Sequence, residues 1–235
     1  MHHVLLDRWS QGASPLHVLD ARAKVLTLLV FLIVLATTPG DSVAVLDTDA
    51  ALLAAAILIA RLPLGGILWR AMVVLPFSLT FALISWLAGE PLRALALVEK
   101  SYLSTVAALL VAGVTPLPLL LGALERLGTP RLLVLVAQFL YRYLFVLSEQ
   151  AQHMRLAAAC REGVARRRGS RFRVATGALA VLFARSYERA EGIHRAMLAR
   201  GFSGRFSLLH AARFGIGDSA FLVLVSAFLI LVRWA

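Results

Sequence analysis

Between Ala71 and Gly89, and again between Ser101 and Leu124, the sequence carries no charged side chain. Helices of about 20 mostly apolar residues are what a bilayer demands, because there the backbone must satisfy its hydrogen bonds internally and the side chains must dissolve in hydrocarbon. Three other apolar runs repeat the theme: Val25 to Thr38, closed by Pro39-Gly40; a second run ending at Arg61; and Phe214 to Val232. With 60% of its 235 residues hydrophobic, the chain is far too apolar for an ordinary soluble domain. The expected fold is all-α, a polytopic membrane protein with about five transmembrane helices.

Breakers and caps set the expected ends. Asp20 is placed to cap the first span, starting near Ala21, with Arg22 and Lys24 anchoring its basic end at the interface. Arg61-Leu62-Pro63-Leu64-Gly65-Gly66 and Arg70 form a basic connection, Glu90-Pro91 a turn, and Pro116 with Pro118 should end a regular helix near Thr115. Asp47, Asp49 and Asp218 each lie near the end of an apolar run, where a solvated interfacial charge is the plain reading. Residues Met1 to Lys24 mix acidic and basic groups before the first apolar run, unlike a cleavable signal, and are expected to be mature sequence.

The distribution of Lys and Arg sets the expected orientation, because cytoplasmic flanks retain positive charge. Arg8, Arg22 and Lys24 place the N-terminus inside, as Arg61 and Arg70 do the second connection; Asp41, Asp47 and Asp49 suit an outer first connection. Residues 155–205 hold twelve Arg and three Glu, a balance of +9 out of the chain's +11. The chain therefore divides into an N-terminal membrane region (1–128), a cytoplasmic segment (129–206) and a C-terminal span (207–235). The cytoplasmic segment reads as two long helices, roughly Arg131 to Gly163 and Phe172 to Ala199. Leu132, Leu133, Val136, Phe139, Leu140, Tyr143, Leu144 and Leu147 recur on the first at amphipathic spacing. On charge alone the pair would rest on anionic headgroups. At the close of the second helix, Gly201 suits the left-handed conformation that ends a helix, leaving Arg200 in the last turn with its fork free for a partner carboxylate or carbonyl. Ala199 keeps that approach close.

Several chemistries are poorly served. Cys160 is the only cysteine, so neither a disulfide framework nor a thiolate metal cluster can form. No Gly-rich phosphate loop and no paired-histidine protease motif is present. His2, His3 and His17 are dispersed. Arg166-Arg167-Arg168 has no interleaved aromatics and suits lipid phosphate or an acidic protein better than nucleic acid.

Three stretches, in order, carry a resemblance. Ser14-Pro15-Leu16-His17-Val18-Leu19-Asp20-Ala21-Arg22-Ala23-Lys24 precedes the first span, Tyr141 to Ala151 (Tyr-Arg-Tyr-Leu-Phe-Val-Leu-Ser-Glu-Gln-Ala) opens the cytoplasmic segment, and Met197-Leu198-Ala199-Arg200-Gly201-Phe202 closes it. Over nearly the whole chain the sequence resembles the transmembrane T components of energy-coupling-factor importers, most closely the CbiQ family of cobalt importers. The resemblance implies a non-catalytic subunit with two cytoplasmic coupling helices, each bearing an Ala-Arg-Gly motif that docks into an ABC-type (CbiO-like) ATPase subunit. It implies ATP and Mg on that partner and no cofactor on this chain. It also implies a separate substrate-binding membrane subunit (CbiM-like, with or without a CbiN-like one), surrounding membrane lipid, and a bacterial cytoplasmic membrane. The second motif matches at Ala199, Arg200 and Gly201. The first departs: Cys160, Arg161 and Glu162 stand in its place, keeping the arginine. Nickel or another micronutrient competes with cobalt as substrate, and a self-contained transporter or channel is the rival from another class, which would want ionisable groups deep within the spans. Small residues at Ala54 to Ala56 and at Ala107, Ala108, Ala112 and Gly113 permit close helix approach, either within the chain or against the substrate-binding subunit.

Overall fold

The computed structural model describes residues 9–10, 12–40, 42–161, 168–202 and 214–234, and the elements within them are helical. In chain order they are α1 (Pro15–Val18), α2 (Ala21–Thr37), α3 (Val43–Ala60), α4 (Leu64–Leu87), α5 (Pro91–Val114), α6 (Leu117–Arg126), α7 (Arg131–Arg161), α8 (Arg168–Ala199) and α9 (Ile216–Trp234).

Local chemistry explains most boundaries. The Asp20 carboxylate accepts the backbone N–H of Arg22 at 2.8 Å, capping α2, a bond worth about 1 kcal/mol at a helix start. Thr115, which precedes a proline, turns extended (φ −134°, ψ 117°) and stops α5 at Val114. Within α4 a 3₁₀ turn, Met72–Val74, falls just before Pro76, whose missing N–H removes the bond to the preceding turn.

Two spans start earlier than the charge-free runs imply. α4 begins at Leu64 rather than Ala71, and α5 at Pro91, taking Arg93, Glu99 and Lys100 into its first half, while Leu117–Arg126 separates as its own helix. Helices propagate until the backbone is broken, not until charges begin. Four described helices, α4, α5, α7 and α9, are long and apolar enough to cross a bilayer. On sequence, α7 belongs beside the membrane; its length and composition equally suit a span, so hydropathy alone does not sort it.

The chain divides into two compact units, Met1–Gly128 with His210–Ala235, and Thr129–Leu209. In the first, Phe31 and Leu35 of α2, Leu46 and Ile57 of α3, Ile67 of α4, Leu103 and Val106 of α5 and Leu229 of α9 form one core. Polar contacts mark its two ends. At one, Lys24 of α2 meets Val114 of α5, and Asp20 meets Asp218 of α9. Trp9 lies there too, in a notch where a Cβ on Gly66 would come within 3.1 Å of its ring. At the other end, the C-terminal carbonyls of α2 receive two cations: Lys100 of α5 donates to Thr38 O and Arg233 of α9 to Thr37 O. Positive groups complement the unpaired carbonyls and partial negative charge of a helix C-terminus. Thus α2 and α9 run parallel, and α5 runs against them.

The second unit holds α7 and α8. Leu132, Leu133, Val136, Leu140 and Leu144 of α7 are exposed, whereas Val134 is buried. The apolar stripe expected on this helix is therefore largely uncovered by the chain itself, as suits a surface that meets lipid or another subunit.

Candidate docking site and the helix-end clasp

α8 ends in a Schellman motif. The N–H of Phe202 donates to Met197 O at 3.0 Å and that of Gly201 to Leu198 O at 3.0 Å, while Gly201 takes φ +74°. These bonds satisfy carbonyls that a helix end otherwise leaves open. The left-handed residue reverses the chain, makes Arg200 the C-cap, and brings Phe202 beside Met197. Ala199, Arg200 and Gly201 are all exposed, so the terminus is presented rather than packed.

Arg200 lines a groove of about 390 Å³ between α7 and α8, together with Phe139, Arg142, Tyr143, Met197 and Phe202. Arg142 sits 5.8 Å from the centre of the Tyr143 ring, a geometry in which a guanidinium is attracted to the ring face. The groove thus joins two guanidinium groups to an apolar wall and can accept a carboxylate or carbonyl framed by apolar atoms. The sequence reading takes Arg142 only as part of the Tyr141 to Ala151 resemblance and not as a docking residue, because it lies in an apolar stretch without the helix-end signature that marked Arg200. At the first motif, Cys160 is exposed in the last turn of α7, Arg161 is the final residue of that helix, and Glu162 lies outside the described residues.

A second constellation occupies one end of the first unit. Asp218 accepts the N–H of Asp20 at 2.8 Å through Oδ1 and that of Gly215 at 2.8 Å through Oδ2. Lys24 Nζ lies 3.3 Å from both His17 O and Val114 O and donates to these carbonyls. His17 Nε2 lies 3.0 Å from Trp9 O, which can only accept, so Nε2 donates there, and Nδ1 lies 2.6 Å from the Ser14 hydroxyl. Asp20, Lys24 and Asp218 are 4%, 5% and 8% exposed. Burial, reinforced by the Asp218 carboxylate, raises the Asp20 pKa from its ordinary value, against the pull of Arg126 and Lys24.

The solvated reading of Asp218 is therefore corrected, and so is that of Asp49, which is 2% exposed with Oδ2 unpaired among the described residues. Asp47 is exposed, as expected. Lys24 is likewise no snorkelling anchor. Each buried group is held by residues distant in sequence or by helix packing, which a local window does not contain.

The family model for CbiQ, described as a cobalt transport protein, matches residues 12–210. The chain is 35% identical over 191 residues to the cobalt transport protein CbiQ of Rhodobacter capsulatus, covering 76% of this chain and 77% of that protein. Two uncharacterised proteins of Methanocaldococcus jannaschii are similar over shorter stretches. One is 33% identical over 102 residues, covering 43% of this chain and 37% of that protein; the other is 29% identical over 115, covering 47% and 39%. An all-helical polytopic fold with these matches defines an integral-membrane transport component. The chain belongs to the CbiQ family of cobalt transport proteins.

Proposed function

We propose that the chain is the transmembrane coupling subunit of an ATP-driven energy-coupling-factor importer for Co²⁺. The observation that carries the reading is the end of α8, where a left-handed Gly201 presents an exposed Arg200 beside an apolar groove. ABC-type ATPase subunits grip this end and the end of α7 around Arg161. ATP binding and release move those subunits together and apart, and the coupling helices carry the movement to the membrane helices. A separate substrate-binding membrane subunit then releases the metal inward. ATP and Mg belong to the ATPase, and this chain holds no cofactor of its own. The docking ends face the cytoplasm, in keeping with the +9 balance of residues 155–205, and the protein resides in the cytoplasmic membrane.

Arg200→Glu and Arg161→Glu test the docking. Reversing an interfacial charge costs several kcal/mol, so transport and copurification of the ATPase should both disappear while the protein stays in the membrane. Unchanged transport in the double variant refutes the reading. Competition of Ni²⁺ with Co²⁺ for uptake separates the two substrates.

One observation favours a self-contained transporter instead: the buried carboxylate of Asp49 within α3, whose Oδ2 has no partner among the described residues, since an ionisable group inside a membrane bundle often marks an ion path. Metal transport by the purified chain alone in liposomes, with no ATPase present, would establish that rival.

A further inference from the structure

The membrane unit carries a cavity of about 200 Å³ between α3 and α9, over a floor of α2 and α5. Phe31, Leu110 and Leu229 at its floor are buried, whereas Ala56, Phe221 and Val225 at its lip are half-buried. The space therefore opens on the side where the unit meets hydrocarbon. An apolar void of about 150 Å³ stays dry and takes up a benzene-sized molecule, so this one has room for a stretch of acyl chain.

Two polar groups near one end of the cavity lack partners. Thr27, one turn along α2 from Phe31, lines the cavity, and its buried Oγ1 makes no hydrogen bond among the described residues. Elsewhere in the unit a helical hydroxyl bonds the carbonyl four residues back: Thr37 to Ile33 O at 2.7 Å, and Thr105 to Ser101 O at 2.8 Å. A hydroxyl without that local bond is a donor in need of an acceptor. Arg61 follows closely on Ile59, which also lines the cavity. Leu62 lies against Gly113, next to the Val114 that Lys24 holds, so Arg61 is at the cavity's Lys24 end. Arg61 caps α3 at φ +54°, the one non-glycine residue among those described with a left-handed φ, and its exposed side chain has no partner among them. Glycine adopts that turn without strain. What arginine adds is a guanidinium, suited to a phosphate.

We infer that the cavity binds one acyl chain of an anionic phospholipid of the phosphatidylglycerol class, with an ester carbonyl at the Thr27 hydroxyl and the phosphate at Arg61. The groups follow one another as they do in the lipid: a cation at the helix ends, a hydroxyl about one turn within, an apolar wall beyond. A choline headgroup fits worse, because its quaternary ammonium meets Arg61, with Arg22 at the same end. The chain fills a gap whose lining otherwise forgoes packing contacts. The inference needs only the membrane residence of the unit and stands apart from the docking reading.

The test uses the full chain in nanodiscs of phosphatidylcholine doped with phosphatidylglycerol that carries a photoactivatable diazirine on one acyl tail, labelled residues being read by peptide mass spectrometry. Label is expected to concentrate on Phe221 and Val225 over Phe81 and Leu83, exposed apolar residues of α4 that report bulk lipid. Excess unlabelled phosphatidylglycerol should displace it, and excess phosphatidylcholine should not. Ala56→Phe fills the cavity and should abolish label there while keeping it on α4. Arg61→Gly removes guanidinium and strain together, so cavity label should fall about fivefold, the scale of one cationic side chain at a lipid surface, while the melting midpoint in detergent rises. In the native protein, label spread evenly over cavity and α4, or displaced equally by both lipids, overturns the inference whatever the variants do. Cavity label unchanged by Ala56→Phe or by Arg61→Gly overturns it too. A fall in both label and melting midpoint for Arg61→Gly shows that Arg61 serves the fold and removes it from the site.

Discussion

Replacing Gly201 by Ala isolates backbone geometry from every other property of the α8 terminus. Gly201 has φ +74°, and a Cβ built there meets no atom within 4 Å, so Ala brings no clash and removes no side-chain contact. What it brings is the left-handed strain of an L-residue, about 1–2 kcal/mol. The free terminus relieves that strain by leaving the Schellman geometry, giving up the bonds from Phe202 N to Met197 O and Gly201 N to Leu198 O and releasing Arg200 from its position. Docking then has to restore the left-handed turn, so partner affinity should fall by about 5–30-fold, the factor that 1–2 kcal/mol commands. Gly201→Asn should lose less, since Asn visits this region more readily, and Gly201→Val more, because β-branching crowds it further. The assay is titration of the purified ATPase onto the chain in lipid nanodiscs. Ala binding as tightly as the native protein, or a series in which Asn is as poor as Val, would show that the turn does not set the position of Arg200 for docking.

Two further predictions concern the membrane unit. The raised pKa of Asp20 means that the folded protein holds this proton more tightly than the unfolded chain, so the group's contribution is fully present below the reference value of 3.8 and is lost as pH rises through the folded value. Asp20→Asn keeps the cap and removes that loss; it should unfold at a higher temperature than the native protein at pH 7, with the gain vanishing below pH 3.8, and a native protein more stable at pH 7 would contradict the assignment. Thr115 is 3% exposed and its hydroxyl has no partner among the described residues. Thr115→Val keeps the shape and relieves an unsatisfied buried hydroxyl, a gain of about 1 kcal/mol or more, so the melting midpoint should rise by about 2–4 °C for each kcal/mol in a chain of this size; a fall would reveal a bond through that hydroxyl.

Much of the α8 terminus is legible in the linear chain. A glycine after the last periodic residue, with an arginine before it, announces the C-cap, and both residues sit where that rule puts them. Phe202 follows from the same motif, whose residue after the turn packs back on the last helical turn. Arg142 does not follow, because its place in the groove depends on where two long helices cross.

Composition and breakers by themselves determined a helical membrane protein, the stop at Thr115, the cap at Asp20 and the terminus at Gly201, since each is decided by contacts within one helical turn or by solubility in lipid. Only the tertiary structure decided which charges are buried. Asp218 binds a backbone group 198 residues away and Lys24 one that is 90 residues away, and no sequence window spans such a pair. Taking a charge out of water is costly unless partners replace the lost hydration. Whether those partners exist is settled by how helices assemble, not by the residues that flank the charge.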